Sequence, residues 1–144
     1  MSYKKKVVKL IIMKKTIITS ILVLFTLLTF FGCQSTPTEI PADATESDLV
    51  RLAQDSYDAG NIKAATVYYE TIINRFGSNL DSYISAKFEL AHILVKEKKF
   101  EEAKPMLEEI LGFYEDDTTL QLPPEYKKLA QIDLAKITSA QEKN

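Results

Sequence analysis

Residues 49–76, LVRLAQDSYDAGNIKAATVYYETIINRF, and residues 87–114, KFELAHILVKEKKFEEAKPMLEEILGFY, are two copies of one pattern offset by 38 positions. Within each copy, apolar and small residues recur at spacings of three and four, which is the period of one face of an α-helix. Each copy is interrupted once, in the first by the turn-forming run at residues 58–61. The pattern therefore predicts two antiparallel helical hairpins and an all-α fold.

A third, partial copy follows Pro123 and Pro124. Its apolar stripe consists of Tyr126, Leu129, Ala130, Leu134 and Ile137. The chain is therefore expected to form five helices, as two hairpins and a closing helix, in a domain at residues 47–140 with a short tail at 141–144.

These residues resemble the tetratricopeptide repeat family, whose first helix contains Leu followed by a small residue and whose second contains Ala with an aromatic residue four positions later. The matching positions, which the resemblance makes packing residues, are Leu52, Ala53, Gly60, Ala65 and Tyr69 in the first copy and Leu90, Ala91, Ala103 and Leu107 in the second. Lys87 stands where the family usually has an apolar residue, and the four residues beyond the usual period lie near residues 79–82. The resemblance implies about two and a half repeats.

The amino-terminal segment has the composition of an export signal. Six lysines lie within the first fifteen residues, residues 16–32 carry no charge, and no acidic residue precedes Glu39. A basic region followed by an apolar run is typical of a secretory signal, with an uncleaved signal anchor as the alternative. Met13 begins a signal of conventional length and is the expected start of translation.

Residues Phe30-Phe31-Gly32-Cys33 resemble the lipobox of bacterial lipoproteins. The resemblance implies cleavage between Gly32 and Cys33 and acylation of Cys33, with residues 1–32 as the signal peptide. Residues 33–46 contain Pro37 and Pro41 and no apolar period, which predicts a flexible tether. The expected location is the periplasmic face of the outer membrane.

Composition excludes several kinds of chemistry. One cysteine and one histidine, His92, rule out a disulfide within the chain, zinc clusters and most catalytic triads. Because no phosphate-binding loop occurs, we expect no enzymatic activity, and we expect neither a cofactor nor a metal site. From Cys33 onward the chain carries 12 Lys+Arg and 20 Asp+Glu, a net charge of −8, and it lacks a basic stripe for nucleic acid.

In tetratricopeptide proteins the first helices of the hairpins line a groove that receives a peptide or helix. The resemblance implies that the corresponding residues here are Val50, Gln54, Tyr57, Asp58, Phe88, His92 and Val95. A lipidated cysteine, a tether and the run at residues 75–111 are also similar to BamD-type lipoproteins, which scaffold outer-membrane assembly.

The expected function is a non-catalytic scaffold of the bacterial envelope that binds an envelope protein through this groove. The alternative is an accessory lipoprotein of a transport system that binds a small ligand or docks to a solute-binding protein. Because a stable stack usually needs at least three repeats, we also consider the hypothesis that the domain pairs with itself or with another protein.

Overall fold

The computed structural model describes residues 35–37, 39–115 and 122–142. Contacts divide the chain into two units, Met1–Cys33 and Gln34–Asn144, and the described residues belong to the second. The predicted signal, the cleavage position at Gly32 and the lipidation position at Cys33 lie outside the described residues.

The described part of the chain contains five α-helices and no strand, which confirms the all-α prediction. They are α1 Glu46–Asp58, α2 Ile62–Phe76, α3 Leu80–Lys96, α4 Phe100–Glu115 and α5 Pro124–Gln141. Consecutive helices pack against each other, and α5 also packs against α3. None of these helices combines the length and the apolar composition needed to cross a bilayer.

The internal repeat seen in the sequence is present in the backbone. Helices α1 and α3 end at Asp58 and Lys96, 38 positions apart, and α2 and α4 begin at equivalent positions. The turns also match, because Gly60 and Lys98 both have positive φ, 75° and 61°. In each hairpin, a residue in the left-handed conformation therefore follows the first helix at the same position.

Two glycine substitutions should have opposite effects on stability. Gly60→Ala is expected to lower the free energy of unfolding by about 1 kcal/mol, since alanine is disfavoured at positive φ. Gly112→Ala is expected to raise it by about 0.5–1 kcal/mol, because Gly112 lies inside α4 and nothing is within 4 Å of an added Cβ. Urea unfolding of both variants measures the difference, and a loss of stability in both would contradict this explanation.

The four additional residues near 79–82 lengthen a helix. The side-chain oxygen of Asn79 accepts hydrogen bonds from the backbone N–H groups of Asp81 and Ser82, at 2.9 and 3.3 Å. Asn79 thereby caps α3, and residues 80–83 form its first turn, which has no counterpart in α1. The four extra residues therefore lengthen α3 at its amino-terminal end.

The core consists of two clusters that share α3. The first joins α1, α2 and α3 through Leu49, Ala53, Ala65, Tyr69, Ile72, Ala86, Leu90 and Ile93. The second joins α3, α4 and α5 through Ile84, Phe88, Ala91, Val95, Ala103, Leu107, Ile110, Ala130 and Ile137. Of the predicted packing residues, Leu52 is only half-buried and Gly60 is exposed.

Lys87 is accommodated by polar partners on α3 and α4. Its Nζ donates a hydrogen bond to the Tyr83 hydroxyl at 2.6 Å and forms an ion pair with Glu109. The Tyr83 hydroxyl donates in turn to Glu109 at 2.6 Å. Burial opposes the charge on Lys87, but the bonds to Glu109 and Tyr83 outweigh it and raise the pKa of the ammonium group. A polar triad therefore replaces an apolar contact at this position.

Part of the predicted tether lies against the helical domain. Arg75 on α2 donates hydrogen bonds to the backbone oxygens of Pro41, at 2.7 Å, and Ile40, at 3.3 Å. Asn61 donates to the backbone oxygen of Ser35 at 2.8 Å. Thr45 then caps α1 in a capping box with Asp48. Specific contacts therefore hold the predicted tether to the domain at Ser35, at Ile40 and Pro41, and at the start of α1.

Candidate functional site

Helix α5 closes one half of the groove that the sequence predicts. Phe88 and Val95 on α3 are 4% and 7% exposed, because α5 packs over them, with the ring of Tyr126 centred 5.7 Å from that of Phe88. The prediction that Phe88 and Val95 bind a partner is therefore wrong, and both belong to the core. His92 lies on the same stripe of α3, but about a quarter of its side chain is exposed.

The other half of the predicted groove is open, because the backbones of α1 and α3 do not approach each other closely, although side chains of both helices belong to one core cluster. A cleft of about 260 Å³ separates them, lined by Gln54, Tyr57, Asp58, Tyr69, Glu89, His92 and Ile93. A second recess of about 110 Å³ is lined by Val50, Gln54, Tyr69, Ile72, Ser85, Ala86, Glu89 and Tyr126. Gln54, Tyr69 and Glu89 line both, so we treat the two recesses as one site, the α1–α3 cleft. Five of the predicted groove residues, Val50, Gln54, Tyr57, Asp58 and His92, lie there.

His92 is held in the cleft by a buried carboxylate of α5. Its Nδ1 lies 2.6 Å from Oδ2 of Asp133, whose side chain is 2% exposed. Because a carboxylate oxygen accepts, Nδ1–H of His92 donates this bond. Asp133 also accepts from Nζ of Lys136 at 2.7 Å, and the His92 ring stacks on Phe88 at 5.7 Å. These contacts fix the ring at the α3 wall of the cleft.

Glu89 is the half-buried carboxylate of the α1–α3 cleft, four residues after Ser85 on α3. Among the described residues it has neither a hydrogen bond nor an ion pair. Burial raises the pKa of Glu89; His92 opposes this rise and the Asp133 charge adds to it. A partly desolvated carboxylate thus faces the cleft without a partner.

The raised pKa of Glu89 predicts a specific dependence of stability on pH. Because its pKa is raised, Glu89 binds a proton more tightly in the folded state than in the unfolded state. Protonation of Glu89 therefore stabilises the fold at acid pH, and this stabilisation is lost as pH rises through the folded pKa. The variant Glu89→Gln is therefore expected to be more stable than wild type at about pH 7, with a smaller advantage at about pH 4.5. Thermal unfolding at both pH values measures it, with Glu108→Gln as the exposed control. An advantage that grows on acidification would contradict this assignment.

The charged and titratable groups around Glu89 come from four helices. They are Tyr57 and Asp58 of α1, Tyr69 of α2, His92 of α3, and Tyr126 and Asp133 of α5. Burial raises the pKa values of Tyr69 and Tyr126, so both hydroxyls stay neutral and available for hydrogen bonds at physiological pH. The cleft thus combines aromatic walls with neutral and negative polar groups.

Sequence reasoning missed Glu89, Tyr126 and Asp133 as parts of this site. A signal for Asp133 was present, because it interrupts the apolar stripe of α5 between Ala130 and Ile137 and so faces the core. In the part of the chain that the structure describes, no group of three or more His, Cys, Asp or Glu side chains is arranged to hold a metal ion.

The chain is 49% identical, over 109 residues and 74% of its length, to an uncharacterized protein of Treponema pallidum strain Nichols. It spans 44% of the length of that relative. No protein-family model and no solved structure matches the chain.

Proposed function

We propose that this protein is a lipid-tethered, non-catalytic module of the bacterial envelope that binds a segment of a partner protein in the α1–α3 cleft. The observation that carries the proposal is the cleft itself. It separates the first helices of the two hairpins, whereas the equivalent space between α3 and α5 is filled by Phe88, Val95 and Tyr126. A partner segment therefore has room beside α1 and α3.

The walls of the cleft suit a polypeptide ligand. The side chain of Gln54 offers hydrogen bonds, while Tyr57, Tyr69 and Tyr126 offer apolar ring surface with a polar tip. Tyrosine is enriched where proteins bind each other for this reason. The basic and apolar pattern before Cys33 supports the tethered location, since acyl chains on that cysteine would hold the domain at a membrane.

Photocrosslinking in cells tests the proposal. Gln54 is exposed and lines both parts of the cleft, so we would replace it with the photoreactive residue p-benzoylphenylalanine. The matched control carries the same residue at Glu108, which is exposed on α4 and does not line the cleft. We expect discrete adducts with polypeptides from position 54 and none from position 108.

Both the presence of adducts at position 54 and their identity test the proposal. Absence of adducts at position 54, or the same adducts at both positions, would contradict binding in the cleft. The identity of the adducts separates the scaffold from the alternative: barrel-assembly or secretion proteins favour the scaffold, and subunits of a transporter favour the transport accessory.

A further inference from the structure

We infer that the partner segment places a basic side chain, arginine or lysine, in the α1–α3 cleft, where Glu89 pairs with it. This inference rests on the proposed function and specifies the chemistry of the partner. The starting observation is that Glu89 is half-buried and has no hydrogen bond or ion pair among the described residues. Because burial of an ionised carboxylate without a partner is costly, a cation in the cleft would relieve that cost.

Electrostatics of the lining favour a cation over other ligands. The residues lining the two recesses include the carboxylates of Asp58 and Glu89 but no lysine or arginine. The ammonium group of Lys136 on α5 is paired with Asp133, the carboxylate that also binds His92. The carboxylates of Asp58 and Glu89 would repel an acidic ligand and attract a basic one.

The aromatic walls favour the same ligand. Tyr57 and Tyr69 line the larger recess together with Glu89, and Tyr126 lines the smaller one beside it. The faces of such rings attract guanidinium and ammonium groups, and their apolar surface covers the aliphatic stem of arginine or lysine. Gln54 and the tyrosine hydroxyls add acceptors for the remaining N–H groups. The cleft therefore provides charge, ring surface and hydrogen-bond acceptors for one long basic side chain.

The net charge of the chain agrees with this chemistry. From Cys33 onward, 12 basic and 20 acidic residues give −8, so the exported part of the chain attracts basic surfaces over a distance. That general attraction is expected to raise the association rate and to weaken with salt. The local contribution of Glu89 is distinct, because it depends on one carboxylate in a confined site and should disappear when that carboxylate alone is removed.

Selection from a library of random peptides tests the inference. The full chain, purified in a non-ionic detergent, would be immobilised and the retained peptides sequenced. We expect the retained peptides to share an arginine or lysine at one aligned position, and replacement of an arginine there by citrulline to weaken binding about tenfold. The same selection with Glu89→Gln is expected to lose this preference, whereas Glu108→Gln, which changes an exposed carboxylate of α4, is expected to keep it.

The failures of the two proposals are distinguishable. Retained peptides that share a motif without a basic residue, or a preference that survives in Glu89→Gln, would overturn the inference and leave binding in the cleft intact. Retention of no peptide above background would overturn the proposed function and, with it, the inference. Circular dichroism of Glu89→Gln checks that loss of the preference does not come from loss of the helical fold.

Discussion

A chain carrying Cys33→Ser is expected to incorporate no labelled palmitate and to keep its signal peptide, whereas the wild-type chain incorporates label and is shortened. The reason is that Cys33 is the only cysteine and follows the apolar run directly, so no other thiol is available for acylation. Metabolic labelling followed by gel electrophoresis of the immunoprecipitated protein measures both effects.

The control for this experiment is Ser35→Ala, which changes a nearby polar residue and should leave labelling intact. A wild-type chain that stays in the membrane without label would contradict the lipoprotein assignment and support the signal anchor. Mass spectrometry of the mature amino terminus would show whether cleavage falls between Gly32 and Cys33.

Leu107→Ala is expected to lower the free energy of unfolding by about 3 kcal/mol, because the change removes buried methyl groups and leaves a cavity. Leu107 is fully buried between α3, α4 and α5. The same change at Leu129, which is 39% exposed on α5, should cost much less. Since small domains are stabilised by only about 5–15 kcal/mol, the loss at Leu107 should be evident in urea unfolding at room temperature. Equal losses at the two positions would contradict the packing described here.

Periodicity and repetition in the sequence were sufficient to predict the helical architecture. The 38-residue offset holds where the first helix of each hairpin ends and the second begins. The same small residues, Ala53 and Ala91 in the first helices and Ala65 and Ala103 in the second, are buried in both hairpins. The local sequence pattern determines these helix ends and turns. Packing of α1 was less predictable: the repeat pattern marks both Leu52 and Leu90 as packing residues, but Leu52 is only half-buried whereas Leu90 is buried.

Only part of the candidate site could be predicted from the sequence, because its surroundings depend on how the helices pack. Each hairpin taken alone presents the same stripe, so Gln54 and His92 appear equivalent in the sequence. Their surroundings differ because α5 packs on α3, which buries Phe88 and Val95 and brings Asp133 to His92. The position of Glu89 in an open cleft arises from the same difference between the two sides of α3. It depends on the gap between α1 and α3, which no local pattern specifies.

The most direct measurement of the central claim is a double-mutant cycle between the cleft and a peptide selected for binding to it. Affinities of the wild-type chain and Glu89→Gln would be measured for the arginine peptide and its citrulline counterpart. If Glu89 contacts the basic side chain, each single change should weaken binding about tenfold, and both together should weaken it little further. Losses that simply multiply would show that Glu89 and the basic side chain act independently, and would contradict binding of that side chain in the α1–α3 cleft.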